Sequence, residues 1–539
     1  MKHPYISLLY PSEDAFKQHA ESTHSVATHD VCEALGFSQM LGLKNGCISQ
    51  FLTCDKEVIF FRQQTICDVL KCPEVEETLR LLLPILSDIE ELRKLGEDIE
   101  QNSGEAYLYS ITEIELYTSC IDTLYRGLSP VCDKLVSPAF KNLLQFVTEL
   151  VESEDYKKLS SELKKLSSKM HEVRSVTIGV NLDGQFRPTE AGVLSINAEP
   201  FHSGTALDKI LRMSFRHDAM TCIAPLTAFG KGQTDNRKEA LLGAFNAAIL
   251  DVFHASVKGW KRMVGIYVLD HTDFLLRMLP EIEFICRAVA LERRLMEKGY
   301  VMTTPTLYPT EDKVFRAKGL YNPDVALRID NKMVANDFAF EDNTTIFVIT
   351  GPNRGGKSVH TVAVGLAQCM AQLGMMVPAE SADISPCDRI LTHFPDGAED
   401  TIDKGRLGEE CSRLRQIFDE MTEHSLLLLD ESLSSTGAFE ATYIASDILL
   451  GFGLAKVRCI FSTHLHDLAA KVPEISQSSL SQGGVGMGTL IAEMNGDGSR
   501  SFRVRAGTPD GKSYASDIAK KYGLSTEEIM AMVHRTQDS

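Results

Sequence analysis

Several features are missing from this 539-residue sequence, and each absence removes a class of protein. No run of about 18 uncharged apolar residues occurs, so no segment reads as a membrane-spanning helix. The opening stretch MKHPYISLLYPSE lacks the basic-then-apolar order of a secretory signal, so a cytoplasmic protein with no membrane partner is expected. The 13 cysteines include no C-x-x-C pair and are odd in number. Reduced thiols are therefore expected, not a disulfide framework or a zinc site. An excess of positive charge is also absent: with a formal net charge of −19, any contact with nucleic acid must come from a local basic surface. There is no short-period repeat and no low-complexity linker. Hydrophobic residues at 44% and charged residues at 24% exclude the disordered and fibrous classes. The length suggests about two to four domains.

What is present divides into two patterns. Up to about residue 320 the chain reads as helices. Residues 75–95, 141–170 and 281–299 carry apolar residues at helical spacing between charged ones, the signature of long packed helices. One interruption, 175–197, alternates β-branched residues around NLDG and reads as a hairpin. Beyond residue 320 short apolar runs take over: TIFVIT (345–350), RILTHF (389–394), SLLLLDE (425–431) and RCIFSTH (458–464), with helical stretches between most of them. That order predicts a mostly parallel sheet with crossover helices. Near the C-terminus, NGDG (495–498) predicts a second hairpin, and Ser525 followed by Glu528 a capping box.

The densest chemistry lies in TGPNRGGKS, residues 350–358. Gly351, Gly356, Lys357 and Ser358 fit G-x-x-x-x-G-K-[ST], with a strand before and a helix after, as a phosphate-binding loop requires. Glycines let backbone N–H groups turn toward phosphates, and the positive end of the following helix faces the same charge. Pro352, Asn353 and Gly355 complete the expected ATP loop, with Lys357 reaching the β- and γ-phosphates and Ser358 binding Mg²⁺. A second GKS, in GTPDGKS (507–513), is one residue short in spacing and follows no strand, so it reads as a turn. LLLLDE places Asp430 and Glu431 at the end of a strand buried on both faces, where open α/β sheets bind ligands. Asp430 is the expected Mg²⁺ partner, and Glu431 the residue that orients or deprotonates the attacking water. STHLHDL ends the next strand, making His464 the candidate γ-phosphate sensor and His466 a bystander.

These motifs in this order resemble the ATPase domain of the MutS family over residues 333–470. TGPNRGGKSV stands where the family has TGPNMGGKST, GMMVPAESADISPCDRILTHF resembles its G-x-x-VPA…DRI-x-T-x-x segment, and DESLSSTGA stands where it has DE-x-G-R-G-T-S. STHLHDL matches the place of T-H-x-x-E-L, and residues 505–529 resemble the segment through which subunits pair. The resemblance implies a fold of α plus α/β class, a helical core or lever region over 1–320, with a clamp-like part around 141–240, before a P-loop ATPase domain of ABC/MutS type over 321–539. It also implies Asn353 at the γ-phosphate, Asn336 near the base, and Met333 where an adenine-stacking aromatic usually stands. A homodimer with composite sites, ATP and Mg²⁺ as cofactors, and double-stranded, branched or mismatched DNA as partner follow as expectations.

Departures from the pattern are as informative. The family's S-G-R-S-T-F loop appears as KGRLGEE, so Lys404 and Leu407 replace serines beside Gly405 and Arg406. Arg354 stands where the family has methionine, and three readings compete for it: a solvated residue, a phosphate contact in cis, and a contact to a partner subunit. No F-x-E occurs in the first hundred residues and helices begin by about residue 30. A chain without the mismatch-wedging and connector domains, or an appended nuclease, is therefore expected. Lysines 157, 158, 164, 165 and 169 and the stretch KGQTDNRK (231–238) are the candidate phosphate contacts, weighed against solvated charge. The expected activity is ATP hydrolysis coupled to clamp-like DNA binding. A nucleotide-switched protein-interaction ATPase is the alternative. An ABC transporter subunit is disfavoured because L-S-G-G-Q is absent.

Overall fold

The computed structural model describes residues 5–22, 25–42, 48–97, 104–171, 175–185, 188–197, 199–200, 202–203, 221–222, 273–395, 405–495, 499–507, 525 and 528–530. The chain forms two compact units: Met1–Ser7, Cys72–Leu135 and Phe140–Glu283 make one, and Leu8–Lys71, Val136–Ala139 and Phe284–Ser539 make the other. The sequence pattern changes near residue 320, whereas the contacts draw residues 8–71 and 284–320 into the same unit as the strands that follow.

The first unit is helical where the spacing of apolar residues calls for it. Helix Pro73–Glu97 buries Val75, Leu79, Leu82, Leu86 and Ile89 completely, one residue every three or four positions, which makes a single apolar stripe. It packs on helix Gly104–Leu128. The approach is close enough that a Cβ on Gly127 would lie 2.0 Å from Thr78 Oγ1. The stretch 141–170, read as one helical run, is two helices, Pro138–Glu152 and Glu154–His171. Ser153 makes the break: its hydroxyl donates back to Leu150 O (2.7 Å) and accepts from Tyr156 N (3.2 Å), a serine acting as an N-cap. On the second helix Lys157, Lys158 and Lys164 are exposed, and Lys157 lies 3.7 Å from Glu154. The side chains of Lys165 and Lys169, and all of 231–238, lie outside the described residues. The predicted hairpin is present, with Ser175–Leu182 antiparallel to Pro188–Asn197.

The second unit is built on a six-stranded sheet. Its elements are β1 (Thr344–Thr350), α1 (Lys357–Gln372), β2 (Ile390–His393), α2 (Arg406–Glu420), β3 (Leu426–Asp430), α3 (Ala438–Leu454), β4 (Arg458–Ser462), α4 (His466–Ser481), β5 (Gly486–Met494) and β6 (Arg500–Ala506). The order across the sheet is β2-β3-β4-β1-β5-β6, parallel from β2 to β5 and antiparallel only between β5 and β6. Leu426 to Leu429 are wholly buried, as a parallel strand covered by helices on both faces must be. Four chain ends therefore meet along one edge of the sheet, those of β1, β2, β3 and β4. The outer side of β2 is not left bare: Ile390 N donates to Val26 O (2.6 Å), which covers an otherwise unpaired strand edge. The N-terminal residues also reach α1, where Gln372 Nε2 donates to Thr53 O (2.8 Å). A smaller four-stranded sheet includes Phe315–Leu320 and Asn336–Ala339, from before β1 in the chain, and Ser381–Ile384, from between α1 and β2. Residues 508–524, with the second GKS, and Lys404 lie outside the described residues. Among the described residues no helix is long and apolar enough to cross a membrane.

Candidate functional site

The loop between β1 and α1 is shaped by its glycines. β1 is buried to its last residue, Thr350. The chain then turns through Gly351 at φ +132°, where a Cβ would lie 2.8 Å from Ala492 O of β5. Only glycine meets both conditions. Gly356, at φ +95°, is the N-cap of α1. The first amides of a helix have no partner within it, so α1 presents N–H groups and its positive end to whatever lies before it. Lys357 is buried, and its Nζ folds back to donate to Gly351 O (3.1 Å) and Pro352 O (3.3 Å). Burial lowers its pKa, while the carboxylates of Glu431 and Asp430 act in the opposite sense.

A second turn faces it. β3 ends at Asp430, whose carboxyl is pushed up by burial; the hydroxyls of Ser358 and Ser462 pull it down, and the charge of Glu431 raises it further. Its Oδ1 is buried and has no hydrogen-bond partner among the described residues. Glu431 follows at φ +46°, with its N–H donating to Ser462 O (2.8 Å). Beyond β4, Thr463 N donates to Ile349 O (2.9 Å). The ends of β3, β4 and β1 are thus joined by hydrogen bonds outside the regular ladder.

These turns open on one cavity of about 560 Å³. One end is polar, formed by Arg354, Gly355, Gly356, Lys357, Ser358 and Glu431. The other is largely apolar, with Leu320, Val325, Ile329, Met333 and Val334. Asn336 lines it too, but its amide is engaged: Nδ2 donates to Phe502 O (3.1 Å) and Oδ1 accepts from Val504 N (2.8 Å), which fastens β6 to the smaller sheet. Gly351, Pro352 and Asp430 lie behind the lining, and Asn353 is exposed at the loop tip outside it.

His464 and His466 are both exposed, and neither lines the cavity. It is His466, the first residue of α4, whose Nδ1 lies 3.1 Å from Thr350 Oγ1 at the base of the loop. Burial lowers the His466 pKa, and the charge of Lys357 lowers it further. Phe502 is the other residue that sequence reasoning passed over. It is 48% exposed on β6, has φ +56°, and lies against Gly356 on the cavity wall. The only sequence signal was an aromatic residue just after the NGDG turn.

Residues 347–536 match the profile of MutS domain V, and residues 54–249 that of the MutS2 N-terminal domain. The chain belongs to the MutS family. The DNA mismatch repair protein MutS of Prochlorococcus marinus (strain MIT 9301) is 36% identical over 214 residues, 39% of this chain and 22% of that one. Its counterpart in Chlorobium chlorochromatii (strain CaD3) is 30% identical over 265 residues, 47% of this chain and 28% of the relative. The chain spans about a quarter of the length of these curated relatives. The MutS domain V match contains both turns, whereas Met333 and Asn336 lie before it. The MutS2 match covers a stretch that carries no sharp motif.

Proposed function

We propose that the cavity binds ATP with Mg²⁺ and that the chain hydrolyses it as a MutS-family ATPase acting on DNA. One observation carries the reading: residues from four separate stretches, Met333 and Asn336, Gly355 to Ser358, Glu431 and Phe502, line a single cavity. It has a polar cationic end and an apolar end, and its volume is ordinary for a small-molecule site. A nucleoside triphosphate has the same two-ended character.

In this reading the loop amides and the end of α1 take the phosphates. Lys357 exchanges its two carbonyl acceptors for β- and γ-phosphate oxygens, which suits an amine already desolvated and within reach of the loop. Met333 and Phe502 flank the base, while Asn336 shapes the wall and holds β6. Asp430 and Ser358 fit a divalent cation, because a buried carboxylate oxygen without a partner next to a hydroxyl is the donor set such an ion takes. When bound, Mg²⁺ neutralises charge on the phosphates. Glu431 orients water in line with the γ-phosphorus and accepts its proton as the new P–O bond forms and the bond to ADP breaks. His466, through Thr350, holds the base of the loop; His464 remains the sensor candidate from its position after β4.

DNA as the coupled partner rests on the relatives, which are DNA mismatch repair proteins, and on the exposed lysines of Glu154–His171. A homodimer is supported by Phe439 and Tyr443, 85% and 65% exposed and one turn apart at the start of α3. The deciding experiment is steady-state ATP hydrolysis with Glu431→Gln as control, over single-stranded, homoduplex, mismatched and four-way-junction DNA at two salt concentrations. Stimulation by one DNA form, weakened by salt and lost in the variant, is the expected result. Turnover indifferent to all DNA favours the protein-interaction alternative, and no turnover rejects the ATPase.

A further inference from the structure

The turn that carries Glu431 is strained, and the structure contains a device that holds it. Glu431 has φ +46° and Leu433 φ +64°, so two residues with side chains lie in the left-handed region on either side of Ser432, a conformation disfavoured for anything but glycine and a few polar residues. In the family pattern DE-x-G, glycine stands at the position of Leu433. Here leucine takes that place and is almost wholly buried, so the strain is not relieved by chemistry at the position itself. Such conformations persist only where the surroundings over-determine them.

Two contacts do so. Glu431 N donates to Ser462 O (2.8 Å) on one side. On the other, the Ser432 hydroxyl lies 2.7 Å from His393 Nδ1 and more loosely, at 3.4 Å, from His393 O. Ser432 is 3% exposed and His393 2%. A hydrogen bond between two buried side chains fixes geometry more firmly than one at the surface, because water offers no substitute partner. His393 is the last residue of β2, which pairs with β3 from Ile390 to His393, so its ring is held by the sheet that ends in Asp430. The clamp therefore ties the turn after β3 to the neighbouring strand at the point where Glu431 leaves the sheet and enters the cavity.

We propose that His393 and Ser432 form a positioning pair that holds Glu431 in its left-handed conformation and so aims its carboxylate into the cavity. The consequence for turnover rests on the ATPase reading above; the clamp itself does not. Neither residue lines the cavity, so neither touches ligand.

The test uses the full chain, wild type against Ser432→Ala, Ser432→Thr and His393→Asn, with two readouts. The first is amide hydrogen exchange without nucleotide, followed in peptides covering 430–434 and, as reference, β4 and α3. The second is kcat and KM for ATP with melting temperature alongside. In Ser432→Ala, exchange is expected to rise on the order of 10-fold in the turn and not in the references, the equivalent of one lost hydrogen bond. Turnover is expected to fall about 10- to 100-fold, as misplacement of a reacting group by about 1 Å does, with KM and melting temperature near wild type. Ser432→Thr, which keeps the hydroxyl, and His393→Asn, which puts an amide at the place of Nδ1, are expected to restore both readouts. Turn exchange unchanged in Ser432→Ala overturns the clamp whatever turnover does. Exchange raised equally in the reference peptides overturns it as well, because that reports general destabilisation. If the wild type hydrolyses no ATP, the exchange result still decides the clamp, and only the ATPase reading falls.

Discussion

The two turns that face each other across the cavity solve one steric problem in different ways. After β1 the chain must reverse tightly beneath β5, and it uses glycine at Gly351 and Gly356, where the backbone takes φ +132° and +95°. After β3 it must reverse again, and there it uses Glu431 and Leu433, with side chains at φ +46° and +64°. A glycine turn brings backbone close to a ligand but supplies no reacting group. The second turn has to carry a carboxylate, so it accepts strain and is held by Ser462 and His393. In the proposed ATPase reading the contrast separates a binding turn from an acting one, and each can be broken on its own.

The largest effect is expected at the acting turn. Glu431→Gln keeps the shape of the side chain and removes the proton acceptor. ATP turnover is expected to drop by roughly 10²- to 10⁴-fold while affinity for ATP, measured by equilibrium binding, stays within a few-fold of wild type. Equal loss of binding and turnover would place Glu431 among the groups that hold the nucleotide through the divalent cation and erase the contrast.

At the binding turn the prediction reverses. Gly351→Val puts a Cβ where Ala492 O leaves 2.8 Å and forces a β-branched residue to a positive φ. A stability loss of roughly 2–4 kcal/mol is expected in urea unfolding, together with loss of nucleotide binding. A variant that binds ATP normally would show that the loop does not need this close approach.

How much of this was legible in the sequence depends on the range over which each feature is fixed. The strands β1 to β4 could be read because each is a short apolar run whose burial is its own signal, and the loop because three glycines beside a lysine have few other uses. The break at Ser153 was hidden inside a helical pattern that continues on both sides of it. The attachment of residues 8–71 to the sheet unit was not readable, since it rests on partners such as Val26 with Ile390 and Thr53 with Gln372, hundreds of positions apart. His466 and Phe502 were missed for a related reason. Position along a strand favours His464, but the start of α4 brings the His466 ring to Thr350, and the return of β6 brings Phe502 to Gly356. The left-handed backbone at Leu433 is signalled only by the glycine that the family pattern has at that place, and leucine itself argues against it.

The scaffold at the far end of α1 from the binding turn offers a smaller effect with a defined pH dependence. Four residues past the end of α1, Met376 N donates to Glu292 Oε1 (2.8 Å), while Glu292 Oε2 is buried without a partner among the described residues. Burial pushes this carboxyl from an ordinary 4.5 up to about 8. The folded state therefore binds more protons than the unfolded chain between those values, and linkage makes stability fall as pH rises from about 4.5 to about 8. Glu292→Gln keeps the acceptor for Met376 and removes the ionisation. It is expected to abolish that decline and to stabilise the protein at pH 9 by on the order of 2 kcal/mol, read from urea unfolding across pH. An unchanged slope would assign the decline to other groups.

The smallest effect tests whether the two turns differ as cleanly as their glycines suggest, because the binding turn contains one exception. Arg354 has φ +61°, is exposed, and lines the polar end of the cavity. It is a strained residue in a loop otherwise relieved by glycine. Arg354→Gly removes that strain and is expected to raise stability, by about 1 kcal/mol at most, because the gain is partly offset by the greater freedom glycine gives the unfolded chain. If the guanidinium only meets solvent, ATP affinity and turnover stay as they were, and the strain is a relic of the loop's geometry. If it meets phosphate in cis, affinity falls although the fold is more stable, and Arg354→Lys recovers part of it, since an ammonium keeps the charge but not the planar fork. Contact with a partner subunit predicts a third pattern, in which turnover per chain depends on protein concentration in the wild type and loses that dependence in Arg354→Gly. The sign of the stability change and the direction of the affinity change are independent, so one variant distinguishes all three readings. The second and third readings, unlike the first, make the binding turn, like the acting one, a place where strain is kept for the sake of a side chain.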